Sequence, residues 1–166
     1  MTKIKLVATS VVLALGMSLL FPNAYAKDTS SVQTAGSSQK TAGDLFLEKN
    51  KKNPGVITLA DGLQYKILTK GTGPMPTDSD SVTVDYAGTL IDGTEFDSSY
   101  KRGQPATFQV REVIPGWTEA LKLMNTGSTW ELYIPAALAY GQEGAPPAIG
   151  PNQTLVFKVH LISINK

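Results

Sequence analysis

The 166-residue chain holds one histidine and no cysteine. The common zinc sites and the Ser-His and Cys-His nucleophile pairs need more of these side chains than that. His160 shares a strand-like face with Val156, Lys158 and Ile162 and reads as a surface or packing residue. Asp92, Glu95 and Asp97 cluster, but their spacing is not that of a calcium loop, which also needs a closing glutamate. Neither phosphate-cradling glycine motif is found, and nothing points to paired carboxylates for glycoside hydrolysis. Any catalysis is expected to need no metal, no cofactor and no covalent nucleophile. What remains is chemistry done by burial and shape. The segment VIPGWTEAL, Val113 to Leu121, carries that possibility. Trp117, Ala120, Leu121 and Met124 recur at i, i+3, i+4 and i+7, one face of a helix. Pro115 fixes its own φ, and Gly116 is read as supplying backbone angles closed to other residues. An indole at the start of a short helix is either plain core or the floor of a pocket.

The elements around it are short strands and turns. Val56–Leu59 and Leu63–Leu68 flank Asp61-Gly62, a hairpin signal. Val82, Val84 and Tyr86 alternate with Thr83 and Asp85, as on a half-buried strand. Thr107–Val110 is a short strand. Trp130, Leu132 and Ile134 alternate with Glu131 and Tyr133. Residues 142–153 form a long loop rich in proline and glycine. Leu155, Phe157, Val159 and Leu161 share one face of a final strand. Strands dominate with one helix between them, which predicts an α+β fold: an antiparallel sheet of about five to six strands with one face covered by one short α-helix. Ala42–Lys51 is expected to be a further short helix, stopped by Asn53-Pro54-Gly55.

The N-terminus has Lys3 and Lys5, an apolar run from Leu6 to Phe21, a break at Pro22-Asn23, and Ala24-Tyr25-Ala26. That order fits a secretory signal peptide over 1–26, cleaved after Ala26. The run is shorter than the ~20 residues of a spanning helix, so no membrane span is expected after cleavage. Residues 27–55 read as a flexible tether followed by the short helix, and 56–166 as the functional domain. Without Lys3 and Lys5, 13 Lys and Arg face 14 Asp and Glu. That balance gives no electrostatic case for nucleic acid or anionic membrane. With no cysteine, burial rather than disulfides must supply stability.

Four pieces, taken together, resemble one family. They are VDYAGTL (84–90), DGTEFDSS (92–99), VIPGWTEAL (113–121), and LAYG (138–141) followed by GPNQTLVFKVHL (150–161). In this order they are similar to the FKBP-type peptidyl-prolyl cis-trans isomerases, over about residues 56–166. VIPGWTEALKLMNTGSTWELYIP, IGPNQTLVFKVHLISINK and FLEKNKKNPGVITLADGLQYKI resemble the bacterial macrophage infectivity potentiator (Mip) branch. That branch carries a long helical dimerisation segment upstream. About 30 residues lie between the expected cleavage site and Val56, too few for it, so a monomer or weak dimer is expected.

The resemblance implies an FKBP-like fold and a site. Trp117 would be its floor. Tyr86, Phe96, Val113, Ile114, Tyr140, Ile149 and Phe157 would be its walls, and Asp97, paired with Arg102, would sit at the rim. Asp97, Tyr140, Trp117 and Phe157 are the implied catalytic set; Tyr86, Phe96, Arg102, Val113, Ile114 and Ile149 are the implied binding set. The Ile114 N–H and the Tyr140 hydroxyl would donate to substrate or macrolide carbonyls. Two departures stand out: Ala106 where an aromatic wall residue often stands, and Ala145-Pro146-Pro147-Ala148 in the 140s loop. The implied partners are proline-containing polypeptides, with rapamycin and tacrolimus as inhibitors. The implied role is folding of exported proteins, in the periplasm first and at the surface or outside second. The alternative is a non-catalytic peptide-binding chaperone module using the same groove.

Overall fold

Alternating burial builds the sheet. Along β3 (Ser81–Leu90) Val82, Val84, Tyr86 and Gly88 are buried, and along β7 (Leu155–Asn165) Leu155, Phe157, Val159 and Leu161. These two long strands pair antiparallel, Tyr86 opposite Val159 and Gly88 opposite Phe157, and so present one apolar face. This is a computed structural model describing residues 40–165. The expected signal peptide and residues 27–39 of the tether lie outside the described residues.

The other strands are β1 (Val56–Thr58), β2 (Gln64–Thr69), β4 (Glu95–Ser98), β5 (Ala106–Gln109) and β6 (Thr129–Ile134). All pairings are antiparallel, in the order β1-β2-β6-β7-β3-β4, with β5 also pairing β3. The sheet thus has seven strands, against an expected five to six. The additional one is β4, four residues long, whose Glu95 and Asp97 give its segment the look of a polar turn. It runs straight into α2 (Ser99–Arg102), a single turn that the sequence reading also lacked. Ser98 caps it by accepting the Lys101 N–H, and Gly103 ends it at φ 73°.

On the apolar face lies α3 (Pro115–Leu123), burying Gly116, Trp117, Ala120 and Leu121, with Met124 just beyond its end. Pro115 stands at the first helical position, where its missing N–H costs nothing. The reading of Gly116 needs correction. It sits inside the helix with ordinary helical φ, and its value is close approach. A Cβ there would stand 2.5 Å from Ile134 Cγ2 on β6. The glycine therefore lets the first turn of α3, and Trp117 with it, lie down on the sheet.

A third helix, α1 (Ala42–Asn50), packs on the opposite face. Thr41 and Asp44 form a reciprocal capping box at its start. Its buried residues Gly43, Leu47 and Asn50 recur at helical spacing. Asn50 donates to Gln64 at 3.0 Å, and Gln64 donates to the Leu47 carbonyl at 2.9 Å. The Phe46 ring lies 6.1 Å from that of Tyr133. This explains why Tyr133, on the expected solvent side of β6, is buried. Among the described residues no helix is long and apolar enough to cross a membrane.

Candidate active site

Trp117 is fully buried where four elements converge. Its ring meets Tyr86 of β3 at 5.3 Å and 88°, Phe157 of β7 at 5.3 Å and 84°, and Phe108 of β5 at 5.8 Å and 86°. Near-perpendicular rings at these separations are the favoured aromatic geometry, worth about 0.5–1.5 kcal/mol per pair beyond burial. The indole N–H has no hydrogen-bond partner among the described residues. A buried donor left so is costly, on the order of 1–3 kcal/mol, and such groups gather where function demands them.

Val113 and Ile114, immediately before α3, are buried beside the indole. Ile149 comes from the 140s loop, where Ala145 and Ile149 exchange both backbone hydrogen bonds, at 2.8 and 3.1 Å. Phe96 stands edge-on to Phe157 at 5.5 Å and 85°. That meeting depends on Gly88, where a Cβ would lie 2.6 Å from Phe157 and 2.7 Å from Phe96.

The rim is set by a bulge. Gly88 pairs with Asp97 and Thr89 with Glu95, so Phe96 is the extra residue in β4. Strict alternation would send Phe96 and Asp97 to opposite faces. The bulge, which re-aims side chains, turns both toward the Tyr86–Phe157 side. The Tyr86 hydroxyl donates to one Asp97 carboxylate oxygen and Arg102 Nη1 donates to the other. Arg102 Nη2 also donates to the Tyr86 hydroxyl at 2.9 Å, and its guanidinium lies 5.4 Å from the Tyr86 ring centre. The single turn of α2 brings Arg102 back over Asp97. Ser99 anchors that turn, accepting the Tyr86 N–H at 2.9 Å and donating to Asp85 at 2.8 Å.

Burial, then the hydrogen bond to Asp97, pushes the Tyr86 hydroxyl up to about 12. Burial, then the Asp97 charge, takes Tyr140 to about 12 as well. Both are neutral donors at any physiological pH. Tyr86 spends its proton on Asp97. The half-buried Tyr140 hydroxyl and the Ile114 backbone N–H have no hydrogen-bond partner among the described residues. Two unspent donors therefore flank the aromatic box. All ten residues drawn from the sequence converge on this one region. Phe108 was missed, although ATFQV puts it on the same strand face as Ala106, opposite Val82 and Val84 of the core. A separate groove of about 520 Å³, lined by Arg111, Val113, Pro115, Thr118, Glu119 and Lys122, shares only Val113 with the box. No group of His, Asp and Glu that could hold a metal occurs among the described residues.

An antiparallel sheet, a short helix lying on one face of it and an aromatic box at that helix's N-terminus define an α+β class of domain. The family model of the FKBP-type peptidyl-prolyl cis-trans isomerases matches residues 73–162, and the chain belongs to that family. A second model, the domain amino-terminal to such isomerases, matches residues 15–67. The chain is 57% identical over 141 residues to the outer membrane protein MIP of Legionella longbeachae, covering 85% of this chain and 60% of that one. It is 62% identical over 121 residues to the peptidyl-prolyl cis-trans isomerase Mip of Coxiella burnetii, covering 73% and 53%. It therefore spans little more than half the length of these curated relatives. The crystal structure of FkpA from Escherichia coli matches with a TM-score of 0.72 at 50% identity, covering 74% of this chain and 57% of that one. A peptidyl-prolyl isomerase structure from Pseudomonas syringae pv. tomato gives 0.71 at 46%, covering 75% and 92%.

Proposed function

We propose that this chain is a peptidyl-prolyl cis-trans isomerase of exported polypeptides. The observation that carries the reading is the buried Trp117, held at right angles to three rings and flanked by the unspent donors of Ile114 and Tyr140. An X–Pro bond rotates over a barrier of ~18–20 kcal/mol, in tens to hundreds of seconds. That barrier is amide resonance. The planar amide is the more dipolar form and water favours it. Between apolar rings that water is gone, so the twisted amide loses less. Binding the twisted form selectively is catalysis by differential affinity.

A prolyl ring against Trp117 would fix the group that turns. The Ile114 N–H and Tyr140 O–H would hold the flanking carbonyls and orient the twist. An acceleration of ~10⁵-fold asks about 7 kcal/mol of these effects together. Asp97 acts as an orienting charge. It holds Tyr86 and Arg102 in place and presents a negative edge to the twisting amide, with no proton transferred. The same box suits macrolides such as rapamycin and tacrolimus. Export rests on the signal-peptide pattern over 1–26, and the periplasm is the compartment it favours.

The test is isomerisation of a prolyl peptide by the wild type and by Asp97→Leu. A wild-type rate well above background, reduced in the variant, is expected. A wild-type rate equal to background refutes the enzymatic reading. Rapamycin binding without turnover would then mark a peptide-binding module. Quenching of Trp117 fluorescence follows that binding, with Trp117→Leu as the control for Trp130, which stacks on Tyr65 at 4.3 Å.

A further inference from the structure

The helix on the far side of the sheet touches the root of the pocket loop. Gly43, in the first turn of α1, packs on Thr154, and a Cβ there would stand 2.3 Å from Thr154 Oγ1 and 3.0 Å from its Cβ. This is among the tightest glycine contacts in the described residues. Thr154 is buried, directly precedes β7, and closes the loop that carries Ile149. The loop is one hydrogen-bonded unit. Asn152 N–H donates to the Gly141 carbonyl at 2.8 Å, Gly144 N–H to Tyr140 at 3.1 Å, and Ala145 and Ile149 bond each other. A displacement at Thr154 has a short covalent and hydrogen-bonded route to Tyr140 and Ile149, two walls of the site.

The other end of α1 does not yield. Asn50, Gln64 and the Leu47 carbonyl form a buried chain, extended by Asn53 donating to Asn50 at 3.0 Å. Phe46 rests on Tyr133, whose β7 partner is Val156, two residues from Thr154. The helix is pinned at its C-terminal half and bears on the loop root at its N-terminal half.

We propose that Gly43 is a positioning residue for the pocket: the close seat of α1 on Thr154 sets the root of the 141–153 loop, and so couples α1 to Tyr140 and Ile149. The proposal rests on the isomerase reading for its effect on turnover, but not for the coupling itself. Close-packed contacts of this kind carry coupling because they have no slack.

The test is Gly43→Ala in the full chain, with Thr154→Ala and the double variant. Alanine is normally the better helix former, so disturbance here marks the contact. In Gly43→Ala the amides of Ala145, Ile149 and Asn152 are expected to exchange hydrogen faster, and the double variant, which removes Oγ1, to restore much of the protection. KM for a prolyl peptide is expected to rise about three- to tenfold with kcat changed less than about twofold. Unchanged exchange at those three amides overturns the coupling, whether or not the chain is an isomerase. Faster exchange with an unchanged KM, at temperatures well below melting, overturns the positioning role. If Gly43→Ala does not fold, Thr154→Ala alone serves: it loosens the same seat and is expected to raise exchange at the same amides, and failure to do so has the same force.

Discussion

Replacing Gly88 by alanine tests whether the Phe96–Phe157 contact shapes the site. In an open strand this change stabilises, by about 0.5–1 kcal/mol, because glycine loses more backbone freedom on folding. Here the new methyl would stand 2.6 Å from Phe157 and 2.7 Å from Phe96. Comfortable carbon contacts lie near 3.5–4.0 Å, so each ring must retreat by about 1 Å. Phe157, on β7, is fully buried and packed edge-on against Trp117, which leaves it little room to retreat. Overpacking of that kind costs about 1–3 kcal/mol. Losing the edge-on ring pair adds about 0.5–1.5 kcal/mol. Set against the entropic gain, the net is a loss of about 0.5–4 kcal/mol, or a Tm lower by roughly 2–16 °C. The isomerase assay should respond more strongly, with kcat/KM down about tenfold or more, since two walls have moved by a distance that matters to orientation. Thermal unfolding and a prolyl-peptide assay on the same preparation decide it. A raised Tm would refute the packing argument. A lowered Tm with undiminished kcat/KM would refute the placing of these rings in the site.

Tyr140→Phe is expected to leave Tm within about 1 °C, because the hydroxyl has no partner to lose among the described residues, while kcat/KM falls about three- to tenfold for one lost hydrogen bond. Asp97→Leu strips two charge-assisted contacts and leaves the Tyr86 hydroxyl without its acceptor. It should lower stability by about 1–3 kcal/mol, read by urea unfolding, and kcat/KM with it. The rate should be flat between about pH 6 and about pH 9, since Tyr86 and Tyr140 keep their protons until about 12 and the site holds no histidine. The stability these two tyrosines contribute is complete below about 10 and is lost only as pH rises through about 12. Glu119 on α3 hydrogen-bonds the Asp61 carboxyl, which pushes it up to about 7 and holds Asp61 below its usual range. A raised acid binds more protons folded than unfolded, so its contribution is complete below about 4.5 and lost as pH rises through about 7. Glu119→Gln should flatten that fall in Tm between about pH 5 and about pH 8, and an unflattened curve counts against the shared proton.

Much of the fold was legible because burial writes itself into alternation. Val82-Val84-Tyr86 and Leu155-Phe157-Val159-Leu161 turn the same face inward that the periodicity assigned them. The helix from Pro115 declared itself by its spacing. What failed had local causes. β4 and α2 are four residues each, too short for a period to emerge, and among their polar residues Asp97 and Arg102 serve the rim while Glu95 and Lys101 pair at the surface. Gly116 was read through φ, whereas Ile134 across the sheet is what needs the missing Cβ. Phe108 stood in view but among ordinary strand residues, and only its 5.8 Å approach to Trp117 distinguishes it. Tyr133 on β6 alternates as an outward residue and is covered by α1, a fact no strand pattern contains.

By itself the sequence determined the elements and the inventory. Alternation and helical spacing are local properties, and one histidine with no cysteine excludes whole classes of chemistry without any coordinates. It also supplied, in four short motifs, eight of the ten residues that converge, with Arg102 and Ile149 lying just outside them. Tertiary structure decided which of them face one another. A bulge of one residue turns Phe96 and Asp97 to the same side, against the alternation that would part them. Two glycines, Gly88 and Gly116, allow approaches that depend on atoms far away in the chain. Whether a donor is spent, as in Tyr86, or has no partner among the described residues, as in Tyr140, follows from what lies across the fold. Local sequence sets propensity; partners brought together from distant positions set geometry, and the proposed site is made of geometry.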